Sequence, residues 1–179
     1  MENRLKEIPV TLPFTKINEL KNLYDSSFPD NERIPFERLI STLSSDRRMY
    51  VYTVEEKLVG MSFLFLYQDM AYLSYICVDP AFRHLGYGSE ILKSISENYK
   101  NYRIALDIEE VREGSKNDQE RISRKNFYLH NGYHSAGIFY YIYHVDYEIL
   151  VTHGDITKEE WHSIIRCHWG PFADNAIYR

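Results

Sequence analysis

The sequence predicts an α+β fold: a mixed, mostly antiparallel sheet of about six to seven strands flanked by about four helices. Three observations carry this. Between Tyr50 and Val78 lie three runs rich in β-branched and aromatic residues, divided by the polar breaks Glu55-Glu56-Lys57 and Gln68-Asp69, the pattern of a meander. After Asp79-Pro80 the period changes, because Ile91, Leu92, Ile95 and Tyr99 fall at i, i+1, i+4 and i+8, one face of a helix. Arg103 to Ile108 then alternates again, with Ile104, Leu106 and Ile108 on one face and Ala105, Asp107 and Glu109 on the other.

The remaining elements follow from local signals in chain order. Leu5 to Leu12 reads as a weak strand, and Ile17, Leu20, Leu23 and Tyr24 take helical spacing behind a Thr15 cap, stopping before Phe28-Pro29. Pro35 to Leu43 reads as a short helix, then the meander strands are Tyr50–Val54, Leu58–Tyr67 and Met70–Val78. The helix of the changed period spans about Gly86 to Tyr99. A polar loop, Arg112 to Asn117, leads to a helix over Gln119 to Asn131, closed by the left-handed C-cap signal Asn131-Gly132. Tyr133 to Val151 supplies one or two strands with a turn at Gly137. Thr157-Lys158-Glu159-Glu160 is a capping box ahead of Trp161, Ile164 and Ile165, so a short helix precedes an irregular tail.

Composition bounds the class. The chain has 179 residues, 44% apolar, 26% charged and 15% aromatic, which places it among ordinary globular proteins. Folding a chain of this length buries roughly 70% of its surface, enough for a core without disulfide or metal staples. The expectation is one domain over residues 1–151 and a C-terminal helix and tail over 152–179, which packs either on that domain or on a partner subunit in a homodimer. Cys77 and Cys167 are far apart and outside any CxxC pair, so neither a disulfide framework nor a zinc ribbon is expected. His153, His162, Cys167 and His168 lack metal-ligand spacing, and no metal is expected. No apolar leader or membrane-length segment is seen, so a cytoplasmic protein with no membrane partner is expected. A net charge of −5 without a concentrated basic face argues against nucleic acid.

The chemistry-bearing segment is Arg83-His84-Leu85-Gly86-Tyr87-Gly88, at the mouth of a helix. Unpaired N–H groups at a helix N-terminus carry about half a positive charge, and glycines let a phosphate approach the backbone. The segment is not a Walker A loop, which ends Gly-Lys-Ser/Thr, nor a full dinucleotide fingerprint, which has a third glycine. A plain turn is the bland alternative.

The wider pattern is sharper. Val78-x-Pro80-x-x-Arg83-x-x-Gly86-x-Gly88-x-x-x-Leu92 resembles the acyl-CoA signature of the GNAT N-acetyltransferase superfamily, and arises by chance on the order of 10⁻⁷ per start position at average residue frequencies. Phe127-Tyr128-Leu129-His130-Asn131-Gly132-Tyr133 resembles that family's Phe-Tyr-x-x-x-Gly-Phe segment. The resemblance covers roughly residues 15 to 151. It implies a three-layer α/β/α arrangement whose sheet is splayed open at the cofactor site, between the strands ending at Val78 and near Glu109. It also implies acetyl-CoA held by the backbone of Ile76, Cys77 and Val78, with Arg83, His84, Leu85, Gly86, Tyr87, Gly88 and Ser89 around the pyrophosphate and Tyr128 at the thioester sulfur. The family often carries Asn seven residues before the tyrosine; here that residue is Arg121, which leaves open whether Arg121 or Arg124 meets the cofactor.

Aminolysis of a thioester needs a neutral amine, an oxyanion donor and help for the departing thiolate. Glu109 and Glu110, at the end of the Arg103–Glu110 strand, are the carboxylates nearest the expected gap, and by alternation only one of them points inward. The tyrosine reference pKa of ~10 against ~8.5 for a thiol makes full proton transfer from Tyr128 uphill by about 2 kcal/mol, so it acts by hydrogen bonding or with a lowered pKa. Cys77 between Ile76 and Val78 reads as a small buried hydrophobe rather than a nucleophile. The leading reading is direct transfer of acetyl to a primary amine; the rival is a non-catalytic acyl-CoA-binding module. Asp107, Glu109, Glu110, Glu113, Asp118 and Glu120 stand against Arg112 and Lys116, with Asp25, Asp30, Glu32 and Glu37 nearby in the family arrangement, so a cationic small-molecule or peptide amine is expected. Acceptor choice falls to loops such as Pro29-Asp30-Asn31-Glu32-Arg33.

Overall fold

Hydrophobic period and element order agree in the computed structural model, which describes residues 5–30, 33–112, 114 and 117–179. In chain order the elements are β1 (Lys6–Pro9), α1 (Ile17–Ser27), α2 (Phe36–Ser41), β2 (Arg47–Val54), β3 (Lys57–Tyr67), β4 (Met70–Val78), α3 (Tyr87–Asn98), β5 (Arg103–Glu109), α4 (Asp118–His130), β6 (His134–Ile142), β7 (Val145–Thr152), α5 (Lys158–Trp169) and β8 (Ile177–Tyr178). The strands form one mixed sheet in the order β1-β2-β3-β4-β5-β7-β6-β8. The β4–β5 pair is parallel, and β1–β2, β2–β3, β5–β7, β6–β7 and β6–β8 are antiparallel. Among the described residues no helix is long and apolar enough to cross a membrane.

Three expectations are corrected here. The sheet has eight strands rather than six or seven, because the tail forms β8 against β6, with Tyr140 opposite Tyr178 and Tyr141 opposite Ile177. Two residues are too few to show a period. The turn between the last long strands lies at Tyr143-His144, whose φ values of 49° and 66° suit a two-residue hairpin, and Gly137 instead sits where the β6–β7 register shifts. Asn-Gly or Asp-Gly normally marks such a turn, so Tyr-His gave no signal. The cap of α1 is Lys16, not Thr15, and makes no side-chain bond.

The chain divides into two compact units, residues 1–66 with 73–98, and residues 67–72 with 99–179. In the first, Leu20, Leu23 and Tyr24 line one face of α1 and bury with Phe36, Leu39, Met49, Val51, Met61, Phe63 and Tyr75. Each such side chain contributes about 1.5–3 kcal/mol on burial. The apolar face of α3 is Ile91, Leu92 and Ile95, and the helix is tied to β1 where Ser94 Oγ and Asn98 Nδ2 each donate to the Glu7 carboxylate at 2.7 Å.

In the second unit, α5 begins at the Thr157 capping box and buries Trp161, Ile164 and Ile165 completely. Trp161 stands edge-on to Tyr72 at 5.0 Å and lies 6.3 Å from Tyr140, so the helix covers this unit's own core. Arg103 joins three segments: Nε and Nη2 donate to the two Asp69 oxygens at 3.0 and 2.8 Å, Nη1 and Nη2 to Glu160 at 3.1 and 2.9 Å, and Nη1 to the Asp155 carbonyl at 2.9 Å. This uses all five donors of the guanidinium fork.

Candidate active site

The first group of site residues belongs to the first unit and is mostly backbone. β4 runs out through Ile76, Cys77 and Val78 into a 3-10 turn at Pro80–Phe82, where the Asp79 carboxylate accepts from Ala81 N at 2.8 Å. Arg83 Nε donates back to the Val78 carbonyl at 3.2 Å, which folds its side chain onto the strand it has just left. His84 and Gly86 then take left-handed φ values of 62° and 89°, and Leu85 between them is 62% exposed. Consecutive residues of alternating hand turn successive N–H groups toward one side, the backbone concavity that binds anions. The first helical bonds of α3 run from Ser89 and Glu90 N to the Gly86 carbonyl at 3.0 and 3.2 Å, so the amides of Tyr87 and Gly88 precede the ladder. A Cβ at Gly86 would meet nothing within 4 Å; what glycine supplies there is the left-handed φ.

β4 depends on a residue the sequence reading missed. A Cβ on Gly60, in β3, would lie 2.6 Å from the Cys77 carbonyl oxygen and 2.9 Å from Ile91 Cδ1, so only hydrogen fits between β3, β4 and α3. An isolated glycine inside a strand pattern signals such an approach, and Gly60 carries that signal. Burial pushes the Cys77 thiol up to about 11, with the Ser27 hydroxyl and the Met61 backbone pulling weakly the other way. The thiol is therefore protonated near neutrality and is a poor nucleophile.

Ser27 also lines a cleft of about 460 Å³ at the end of α1, with Asp25, Phe28, Asp30 and Arg33. Two tyrosines fix its rim, since Tyr24 Oη donates to the Ile34 carbonyl at 2.8 Å and Ile34 N donates to Tyr75 Oη at 3.0 Å. Arg33 caps α1 by donating to the carbonyls of Asp25 and Phe28 and pairs with Asp25 and Asp30. This is the loop to which sequence analysis assigned acceptor choice.

The second group belongs to the second unit. Tyr128, 7% exposed, is the one residue of α4 that is buried among those described. The motif around it is a Schellman helix end: Tyr133 N donates to the Tyr128 carbonyl and Gly132 N to Leu129, both at 3.2 Å, with Gly132 at φ 85°. Tyr133 closes edge-on against Tyr128 at 5.6 Å, so the glycine and final aromatic of the motif pin the tyrosine ring.

Glu109 and Glu110 go to different partners. Glu109 receives Arg121 Nη2 at 2.8 Å and Arg124 Nη1 at 3.2 Å, while Arg121 Nη1 donates to the Glu110 carbonyl at 3.0 Å. The Glu110 carboxylate receives Arg112 Nε at 3.0 Å and Arg179 Nη2 at 2.6 Å. Part of the expected negative charge is paired in this way: Asp25 and Glu37 also hold Lys21, whereas Asp107 is half-buried and accepts from the neutral Tyr72 and Tyr140 hydroxyls at 2.9 and 2.6 Å. Asp118 accepts from Gly114 N, and Glu120 is exposed. Asn31, Glu32, Glu113 and Lys116 lie outside the described residues. No cluster of three or more metal-ligating side chains occurs among the described residues.

No curated protein sequence matches the chain. Among solved structures, it resembles a GNAT-family protein of Bacteroides thetaiotaomicron at 20% identity and TM-score 0.70, covering 91% of this chain and 94% of that one. It resembles the ribosomal-protein-S18-alanine N-acetyltransferase of Escherichia coli at 16% and 0.65, covering 87% and 97%. It also resembles a GNAT acetyltransferase of Elizabethkingia anophelis with acetyl-CoA bound, at 15% and 0.59, covering 85% and 99%. At these identities the likeness is one of fold. The model of the acetyltransferase (GNAT) domain matches residues 45–135, from the start of the meander through the turn at His84–Gly86 to the helix end at Tyr133, and on that match the chain belongs to the GNAT acetyltransferase family.

Proposed function

We propose that this protein transfers the acetyl group of acetyl-CoA directly to a primary amine within a ternary complex. The carrying observation is the left-handed pair His84 and Gly86 ahead of α3, a backbone turn of the kind that presents successive amides to an anion such as a pyrophosphate. In this reading the backbone of Ile76, Cys77 and Val78 and the segment from Arg83 to Ser89 hold acetyl-CoA, whose thioester supplies the activated acetyl group. Tyr128 donates a hydrogen bond to the leaving sulfur. An alkyl amine arrives as its cation near neutral pH and gives up a proton to water before attack. A thiol pushed up to about 11 at Cys77 supports direct transfer over an acyl-cysteine. The two free cysteines suit a cytoplasmic setting.

The experiment is CoA-thiol release from acetyl-CoA across a panel holding a polyamine, a lysine peptide and a peptide with an N-terminal alanine, beside calorimetry with CoA. Turnover with at least one amine is expected, together with CoA binding that Gly88→Val abolishes. Binding without turnover on the panel returns the rival, a non-catalytic acyl-CoA module. Unaltered CoA binding by Gly88→Val places the pyrophosphate elsewhere.

A further inference from the structure

α4 is docked in an unusual way for a helix that carries a buried tyrosine. Of its other apolar residues Ile122 and Leu129 are 37% and 40% exposed and Phe127 is half-buried, so Tyr128 alone is buried among the described residues. Beside that ring a basic row reaches the strands. Arg121 and Tyr128 are seven residues apart, nearly one line on a helix, with Arg124 and Lys125 between them. Two acids receive this row. Glu109, its side chain 15% exposed, ends β5 and takes Arg121 and Arg124; Glu148, its side chain 2% exposed, lies on β7 opposite Ile108 and takes Lys125 Nζ at 2.9 and 2.7 Å.

Apolar side chains of similar volume would hold a helix as firmly as buried ion pairs, and often more so. A charge-assisted pair adds direction: the guanidinium of Arg121 meets both the Glu109 carboxylate and the Glu110 carbonyl, so it fixes the height of α4 along β5 as well as its distance. One turn of slip would carry Tyr128 about 5.4 Å along the axis.

We propose that Glu109 and Glu148 are positioning residues rather than proton acceptors: through Arg121, Arg124 and Lys125 they set the register of α4 and so the place of the Tyr128 hydroxyl. Arg121 thereby serves the helix and not the cofactor. The inference rests on the role of Tyr128 proposed above.

A double-mutant cycle tests it, with Glu109→Gln and Arg124→Gln each made alone and in a Tyr128→Phe background. Arg124 is 45% exposed, so its variant remains folded if Glu109→Gln does not. Using acetyl-CoA and the fastest amine of the panel, either variant is expected to lower kcat about tenfold, the scale of a sub-ångström misplacement, with CoA affinity unchanged and the kcat/KM pH profile lowered without change of shape. Neither is expected to lower kcat further once Tyr128 is Phe. Independently of turnover, the fluorine resonance of Tyr128 in 3-fluorotyrosine protein, assigned by its loss in Tyr128→Phe, is expected to shift in both variants. Loss of the acidic limb of the profile in Glu109→Gln makes Glu109 the base and overturns the proposal. So does an effect of full size in the Phe background, or an unmoved Tyr128 resonance. A Tyr128→Phe variant with unchanged kcat overturns the role of Tyr128 itself, a separate failure.

Discussion

Replacing Gly60 by Ala places a methyl group about 0.8 Å inside the 3.4 Å at which ordinary contact with the Cys77 carbonyl begins. A flexible side chain could swing away, but this neighbour is backbone, and the next residue pair is already fixed by Asp79 N donating to the Val59 carbonyl at 2.8 Å. Ile91 Cδ1 at 2.9 Å closes the other route, because Ile91 is fully buried in the face of α3. Overpacking of this kind costs about 1–3 kcal/mol. At about 2–4 °C per kcal/mol for a chain of this size, Tm falls by roughly 2–12 °C. The displaced carbonyl belongs to the strand proposed to hold acetyl-CoA, so CoA affinity also weakens by about fivefold, one hydrogen bond's worth. Thermal unfolding by circular dichroism and calorimetry with CoA read both effects. A variant whose Tm and CoA affinity both match those of the parent refutes the close approach as the reason for glycine at this position.

Arg103→Met separates Asp69, Asp155 and Glu160, and with both carboxylates partly in solvent the expected loss is about 2 kcal/mol, or roughly 4–8 °C in Tm near neutral pH. Arg103 holds the Glu160 carboxyl down at about 2, below its unfolded range, so the Glu160 contribution is present above about pH 4.3 and is lost as pH falls through 2. Melts of parent and variant should converge in acid; a constant gap counts against the clamp. Asp107 has the opposite sign, since burial raises its pKa despite the tyrosine hydroxyls, and its favourable contribution is complete below the unfolded value of about 3.9 and lost as pH rises through the folded one. Asp107→Asn should therefore gain on the parent as pH rises above about 4 in paired melts, and a pH-independent difference would show that Asp107 does not titrate in the fold.

Much of this molecule is written locally. The meander, the α3 face of Ile91, Leu92 and Ile95, the capping box at Thr157 and the helix end at Gly132 all follow from spacing and from residues with one dominant backbone use, so a window of ten residues identifies each. The turn into α3 was legible for the same reason, because the left-handed φ of Gly86 and the helix start behind it are properties of a short segment. Even the doubt about Glu109 and Glu110 was local in origin: alternation separates the two carboxylates but does not name their partners.

Those partners come from elements far along the chain, and there tertiary structure decided. Arg121 and Arg124 claim Glu109, and Arg112 and Arg179 claim Glu110, so part of the negative charge that counting acids suggests is paired within the fold. Coulomb interaction depends on distance in space, and composition records only that the charges exist. The necessity of Gly60 likewise belongs to the approach of β3 to β4, and β8 exists because β6 offers an edge to two tail residues with no period of their own. Local conformation follows from neighbours a few bonds away, whereas pairing of charges, close approaches and sheet edges follow from which distant residues the fold brings within a few ångströms.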